Sequence, residues 1–540
     1  MATGCDDLPT ILRKLKTGEK IDWTPGPPST TVPPPPPPTT APPTVPPTTA
    51  PGGNPALTAS MIVNKLTFGP KPGLVAAVTA MGVNNWLEQQ LTRSGLGTAE
   101  SRLASGYPTL SNSNMANYTV QDSDGGQDRL FDQMDHANIQ RAVYSDQQLF
   151  EVMCDFWGNH FNIWRRHTWM GFLRTRDYED VVRGNAMGKF STMLLASAQS
   201  PSMLDYLDNL PNDASTPGGV NQNYARELLE LHSLGIINGV QAYTEADVQA
   251  VAQIISGFAL EWGNVATKYD FKFLPWQHSR TAVSCFGGAV SFPARAYGQG
   301  YDDGITLVNY LAHHPATARY VCWKLIKRFV TDTPSMALVD SAAAVFAAND
   351  TAIVPTLRHI FASAEFAASA GQKIRRPFEH LVACLRATNA TMGTAPQGNS
   401  ANGLRWSLES MGQPIFERVT PDGYPDHQAF WVSSDGLLNR WEAAGNICRN
   451  AMGDQSDTAD RVRVDLLSLM PNPLPATVNE LIAWMAVSLG NYVISAQDIA
   501  DMCTALGITG TAVATTVTTN AGRLSLTVGL VLSHPSFQRR

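Results

Sequence analysis

Charge is scarce in this chain. Only 16% of its 540 residues are Asp, Glu, Lys or Arg, and the net charge is -7. No basic run or basic-aromatic patch breaks that balance, so no nucleic-acid partner is expected. No uninterrupted apolar stretch reaches the roughly 18 residues needed to cross a bilayer, so no transmembrane segment is expected. The seven cysteines (Cys5, Cys154, Cys285, Cys322, Cys384, Cys448 and Cys503) include no C-x-x-C pair. This removes zinc ribbons and dithiol redox motifs. Several sit in apolar helical contexts and read as buried free thiols; one or two disulfides would fit an exported chain. A G-x-S-x-G elbow, a phosphate-binding G-x-x-x-x-G-K-[ST] loop and an H-E-x-x-H zinc motif are all missing. Gly298-Gln-Gly300 follows no strand, and the Asp122–Asp128 loop lacks the terminal glutamate of a calcium loop. The first residues also lack the apolar core of a signal peptide. If that start is genuine, the chain is cytoplasmic.

What is present divides into three parts. Residues 1–24 form a short N-terminal segment with an amphipathic piece from Leu8 to Leu15. Residues 25–55 are a Pro/Thr-rich linker containing six consecutive prolines. Such a segment has few donors and no core-forming side chains, and is expected to be disordered or an extended polyproline spacer. Spacers of this kind hold a domain off a surface or join exported modules. Residues 56–540, about 480 in number, are enough for a large core. Their apolar periodicity is helical. Helices are predicted near 57–66, 73–92, 141–163, 179–199, 222–234, 245–260, 304–312, 316–331, 336–348, 353–362, 376–388, 435–451, 478–489, 496–505 and 520–533. Thr244-Glu-Ala-Asp247 reads as a capping box, Pro315 as a first helical residue and Gly235 as a helix stop. The Gly-rich stretch 263–303 is expected to hold a small irregular or hairpin insertion. The fold class is mainly α: a large multi-helix domain preceded by the linker.

The most informative stretch is Asn221–Gly235. On a helix, Asn223, Arg226, Glu227 and Glu230 share one stripe, and Tyr224, Ala225, Leu228 and Leu229 face the other way. The stripe is either a solvated face or a polar cluster with a job. His232 falls on the apolar side, and its spacing from Glu227 and Glu230 does not match a Glu-x-x-His di-iron pattern, so it reads as a core histidine. His160, on the same helical face as Trp157, Phe161 and Trp164, is either a core histidine or a base whose pKa burial sets. A metal pair of His160 with His167 is conceivable. Arg174, with Arg176, Arg183, Asn185 and Lys189, would bind an anionic substrate, pair with the carboxylates of the 223–230 helix, or form a structural ion-pair network. Asp205, Asp208 and Asn209 suit a hard cation without diagnostic spacing. His278 sits in a loop and is freer to be functional.

These motifs, taken in order, resemble the domain of unknown function 1800 family. The resemblance runs from Val63-Asn-Lys-Leu-Thr-Phe-Gly69 through Phe156-Trp-Gly-Asn-His-Phe161, Pro201–Asn209 and Asn221–His232. It continues through Lys373–Glu379 and Pro421-Asp-Gly-Tyr-Pro425 to Ser533–Gln538. It implies a mainly helical protein, often exported from bacteria, with an alkaline-phosphatase-like envelope protein as partner. It implies no settled activity, cofactor or metal. Two departures stand out. Gln222 stands where the family commonly has an acid, and His278-Ser-Arg-Thr-Ala-Val283 lacks the acid and the base that commonly follow the histidine. The expectation is a pocket in which Glu227, Glu230 and His160 are catalytic. Asn223, Arg226, Arg174 and His278 would bind an envelope polymer or a small metabolite. The alternative is a non-catalytic scaffold or binding module in which the same groups pin helices together.

Overall fold

The computed structural model describes residues 57–103, 106–168, 170–216, 219–453 and 460–540. The amphipathic piece Leu8–Leu15 and the linker 25–55 lie outside the described residues. Helices dominate, and the strands form three short antiparallel hairpins. Most buried apolar residues belong to one contiguous cluster, with two small satellites. At its centre lies the helix Pro377–Ala387, every residue of which is buried. A helix buried all round needs apolar residues on every face or charges that find partners. This one carries both kinds.

Most predicted helices are present within a few residues. The helix Glu245–Ile254 opens with the expected capping box, Thr244 and Asp247 each accepting the other's backbone N–H. The helix Pro315–Phe329 starts at its proline, and the ring Nδ1 of His314 accepts from Ala316 N at 3.1 Å.

Five of the predicted helices differ from the sequence reading. The 73–92 stretch is two helices, Leu74–Met81 and Val83–Thr92, parted by Gly82 at φ 86°. The 141–163 stretch breaks after Tyr144, where the Gln148 side chain donates to the carbonyls of Ala142 and Ser145. The preceding helix extends back to Gly126, in a region read as loop. The 179–199 stretch separates into a π-helix, Asp177–Arg183, and the α-helix Phe190–Ala198. The 245–260 stretch ends at Ile254, because Gly257 (φ 85°) turns the chain into the strand Phe258–Leu260. That strand pairs with Phe271–Phe273, and Val283–Cys285 pairs with Val290–Phe292. The expected insertion is therefore two hairpins. The helix Asn399–Ser410, rich in Asn and Ser, went unpredicted.

The fifth difference concerns the stripe itself. An α-helix over Asn223–Glu227 passes into a π-helix over Leu228–His232. The Ser233 hydroxyl takes the Leu228 carbonyl, and the Gly235 N–H takes that of Leu229. These bonds widen the last turn, and single π turns of this kind recur at functional sites. Gly235 (φ 70°) then lies directly on the Tyr320 ring, where a Cβ would approach to 2.2 Å. No larger residue permits that contact between the end of this helix and the helix Pro315–Phe329.

Candidate active site

The apolar side of the 223–232 helix is buried as expected: Tyr224, Ala225, Leu228, Leu229 and His232 are all in the core. On the polar side the four residues go to different partners. Asn223 is exposed and donates to Leu207 O at 3.2 Å. Arg226 forks onto Glu245, with N···O distances of 2.9 and 2.6 Å. Glu230 accepts from the Tyr243 hydroxyl at 3.2 Å. Glu227 is half-buried. Its burial, then the charges of Glu230 and Asp422, push its carboxyl above the usual range, against the pull of Arg226.

His160 ends the helix Gln148–His160 and is sealed among aromatic rings. Its ring centroid lies 4.5 Å from Phe161, 5.4 Å from Trp157 and 6.3 Å from both His232 and Tyr320. Its Nε2 is 3.2 Å from the His232 carbonyl. A carbonyl only accepts, so the proton is assigned to Nε2 and Nδ1 carries a lone pair. Among the described residues that Nδ1 has no hydrogen-bond partner, and neither ring nitrogen of His232 has one. Burial, reinforced by Lys324, pushes both rings down, His232 to about 3, so both are neutral at physiological pH.

Lys324 was missed by the sequence reading. It lies one turn beyond Tyr320, with its ammonium 5.5 Å from that ring's centroid, and among the described residues it makes no ion pair or hydrogen bond. Burial and then the charge of Lys327 pull the amine down to about 8, while Asp422 and Asp426 oppose the shift. Asp422 comes from the loop after Phe416. Residues at the end of the helix Gln148–His160 and just past it clamp that loop: Asn159 exchanges hydrogen bonds with the backbone of Tyr424, and Asn162 donates to Arg418 O and Thr420 O. The Tyr206 hydroxyl holds Val419 O at 2.7 Å. Asp422 thereby acts on Glu227, Lys324, Tyr206 and Tyr320 alike. The cluster thus comprises Glu227, Glu230, Asp422 and Lys324, backed by two neutral histidines and three tyrosines.

Arg174 and His278 stand apart from it. Arg174 is buried against Asp177, with Phe416 beneath the guanidinium at 5.0 Å; its Nε and Nη2 find no acceptor. Tyr206 connects it to the cluster, being influenced by both Glu227 and Arg174. Arg183 pairs with Glu151 at 2.6 Å. The basic residues after 173 therefore find acids in their own neighbourhood rather than on the 223–230 helix. The His278 Nδ1 lies 2.8 Å from Ser256 O, with Gly300 packed against the ring; none of these neighbours belongs to the cluster. His167 packs on Tyr206 at 5.2 Å, away from the sealed His160 ring. Among the described residues no three His, Cys, Asp or Glu side chains converge as a metal site requires. The six described cysteines are buried free thiols.

A second feature the sequence reading passed over is a buried charge network at the start of the central helix. Arg376 pairs with Asp155, and its N–H donates to Glu379 at 2.8 Å. Arg328 lies 2.5 Å from Glu379, and Lys373 bridges Asp332 and Asp426 at 2.5 and 3.0 Å. The guanidinium of Arg328 is close to Glu379 but poorly aligned, leaving its N–H groups without a hydrogen-bond partner. The sequence signal was Arg376 followed three residues later by Glu379, at the head of a helix.

The sequence model of the family described as Protein of unknown function (DUF1800) matches residues 61–539. Comparison with curated proteins and with solved structures gives no match.

Proposed function

The chain belongs to the DUF1800 family along nearly its whole length, and from that premise we propose that the Glu227–Lys324 cluster is an acid–base catalytic site. One observation carries the reading: two groups acting on shared neighbours are displaced in opposite directions. Glu227 keeps its proton to higher pH than an ordinary carboxyl, and Lys324 releases its proton near 8. Such opposed displacements bring an acid and a base closer to neutral pH than their ordinary values. Glu227 is the general acid/base, and Glu230 sustains its raised pKa. Neutral His160 supports the site by holding the widened turn through its Nε2 bond to His232 O. Asn223 and Arg226 form the rim that receives a substrate anion or carboxylate. Arg174, across Tyr206, and His278 are the outlying substrate-binding residues. The substrate class is an envelope polymer or a small metabolite, and the Pro/Thr-rich segment supports an exported or cell-surface setting. The test is turnover of envelope-polymer fragments and small-metabolite pools by wild type, Glu227→Gln and Lys324→Met. A fall of about 10²-fold or more is expected in both variants, each remaining folded at the assay temperature. Equal turnover in all three proteins defeats the reading.

A second reading, a scaffold working with an alkaline-phosphatase-like envelope protein, is favoured by the sealed burial of His160 and His232. Under it, the two substitutions alter no activity, and the partner still co-purifies with both variants.

A further inference from the structure

A groove of about 670 Å³ lies between the first helices, Ala59–Leu66 and Leu74–Met81, and the end of the helix Val478–Ser488. Its walls include Pro72, Val75, Trp484, Val487, Tyr492 and Val493. Val487 is 55% and Val493 86% exposed, so apolar surface is left open to solvent. One wall is rigid: the Tyr492 ring stacks on His534 at 4.9 Å, and its hydroxyl donates to Val531 O at 2.8 Å. Trp484, half-buried, brings its indole to the groove wall. The groove thus offers aromatic and apolar walls and an indole N–H able to donate.

The described chain begins at the rim of this groove. Ser60 lines it, and Asn491 Nδ2 holds Ser60 O at 2.9 Å. Ahead of Leu57, beyond Asn54-Pro55-Ala56, come Gly52-Gly53, and before them Pro33–Pro38, Pro42-Pro43 and Pro46-Pro47. Residues 25–51 carry no charge. A proline-rich segment has carbonyl acceptors without matching N–H donors. Aromatic-lined grooves recognise it by gripping the rings and donating to those carbonyls. We propose that this groove seats the chain's own Pro42–Pro47 segment as a polyproline helix, with the Trp484 N–H on a proline carbonyl. About 3.1 Å per residue gives the roughly ten residues from Pro47 to Leu57 ample reach, and the Gly-Gly pair supplies the turn. Tethering raises the local concentration of the segment, so a weak contact suffices.

The test is hydrogen exchange of residues 484–493 in the full chain. It compares wild type, a variant with Pro42, Pro43, Pro46 and Pro47 changed to Ser, and Trp484→Phe. The proline variant leaves the folded body untouched, so it remains informative if Trp484→Phe folds poorly. Docking predicts exchange faster by about three-fold or more in both variants, with wild-type protection independent of protein concentration. Equal exchange in wild type and the proline variant overturns the proposal. Protection that disappears on dilution also overturns it, by assigning the groove to the segment of a second copy.

Discussion

The ring of His160 donates from Nε2 to the main-chain oxygen of His232, 3.2 Å away. A side chain at the end of one helix thereby fixes the widened turn of another, and the unpaired face of each imidazole is left inside the core. Removing the His160 ring opens a cavity and frees the His232 carbonyl. His160→Ala is expected to lower folding stability by about 2–5 kcal/mol, read by denaturant titration.

The two histidines also set an acid limit. The unfolded chain protonates them near 6.5, whereas the folded His232 resists until about 3 and His160 shifts in the same direction. The unfolded state then binds more protons throughout that window, so stability is lost as pH falls from 6.5 toward 3. Each ring contributes up to about 1.4 kcal/mol per pH unit. Melting temperatures from pH 7 to 4 should fall less steeply in His232→Phe than in wild type.

Lys324 gives the opposite window. Its folded pKa, about 8, lies below the unfolded 10.5. The penalty for holding its ammonium is complete below 8 and is relieved as pH rises from 8 to 10.5. Lys324→Met should therefore gain stability relative to wild type at pH 7, and the gain should shrink by pH 10.

Gly235 tests the helix contact. Its φ of 70° and the Tyr320 ring both exclude a side chain. Gly235→Ala is expected to cost about 1–3 kcal/mol, visible as a lower denaturation midpoint at unchanged slope.

The two ion-pair environments separate cleanly. Arg226 and Glu245 are exposed, so breaking that pair should leave the melting temperature within experimental error. Arg328→Met removes a buried partner of Glu379 and should cost about 3–5 kcal/mol by the same measurement.

Much of this architecture was legible in the sequence because helical periodicity is a local property. The stripe of Asn223, Arg226, Glu227 and Glu230, and the burial of His232, followed from the helical wheel. Helix breaks at Gly82, Tyr144 and Ile254 did not, since amphipathic stretches on either side merge into one pattern. The widening at Leu228–His232 depends on Ser233 and Gly235 capturing carbonyls, which no hydrophobic pattern encodes. The roles of Lys324, and of Asp422 within its motif, were not legible for a different reason. Each is an ordinary charged residue in its own segment, and they acquire meaning only when Asn159 and Asn162 hold the 416–426 loop beside the helix Pro315–Phe329. Arg376 and Glu379 were visible as a motif, but their chemistry rests on Asp155 and Arg328, far away in sequence.

The charge network around Glu379 is completed by very late residues. Arg540 is buried, its Nε 3.5 Å from Glu379 and its guanidinium donating to Arg328 O, while Gln538 O receives the Arg375 N–H. During synthesis, the central helix leaves the ribosome long before these partners exist. Until then its arginines and glutamate lack part of the neutralising shell that segments distant in sequence supply.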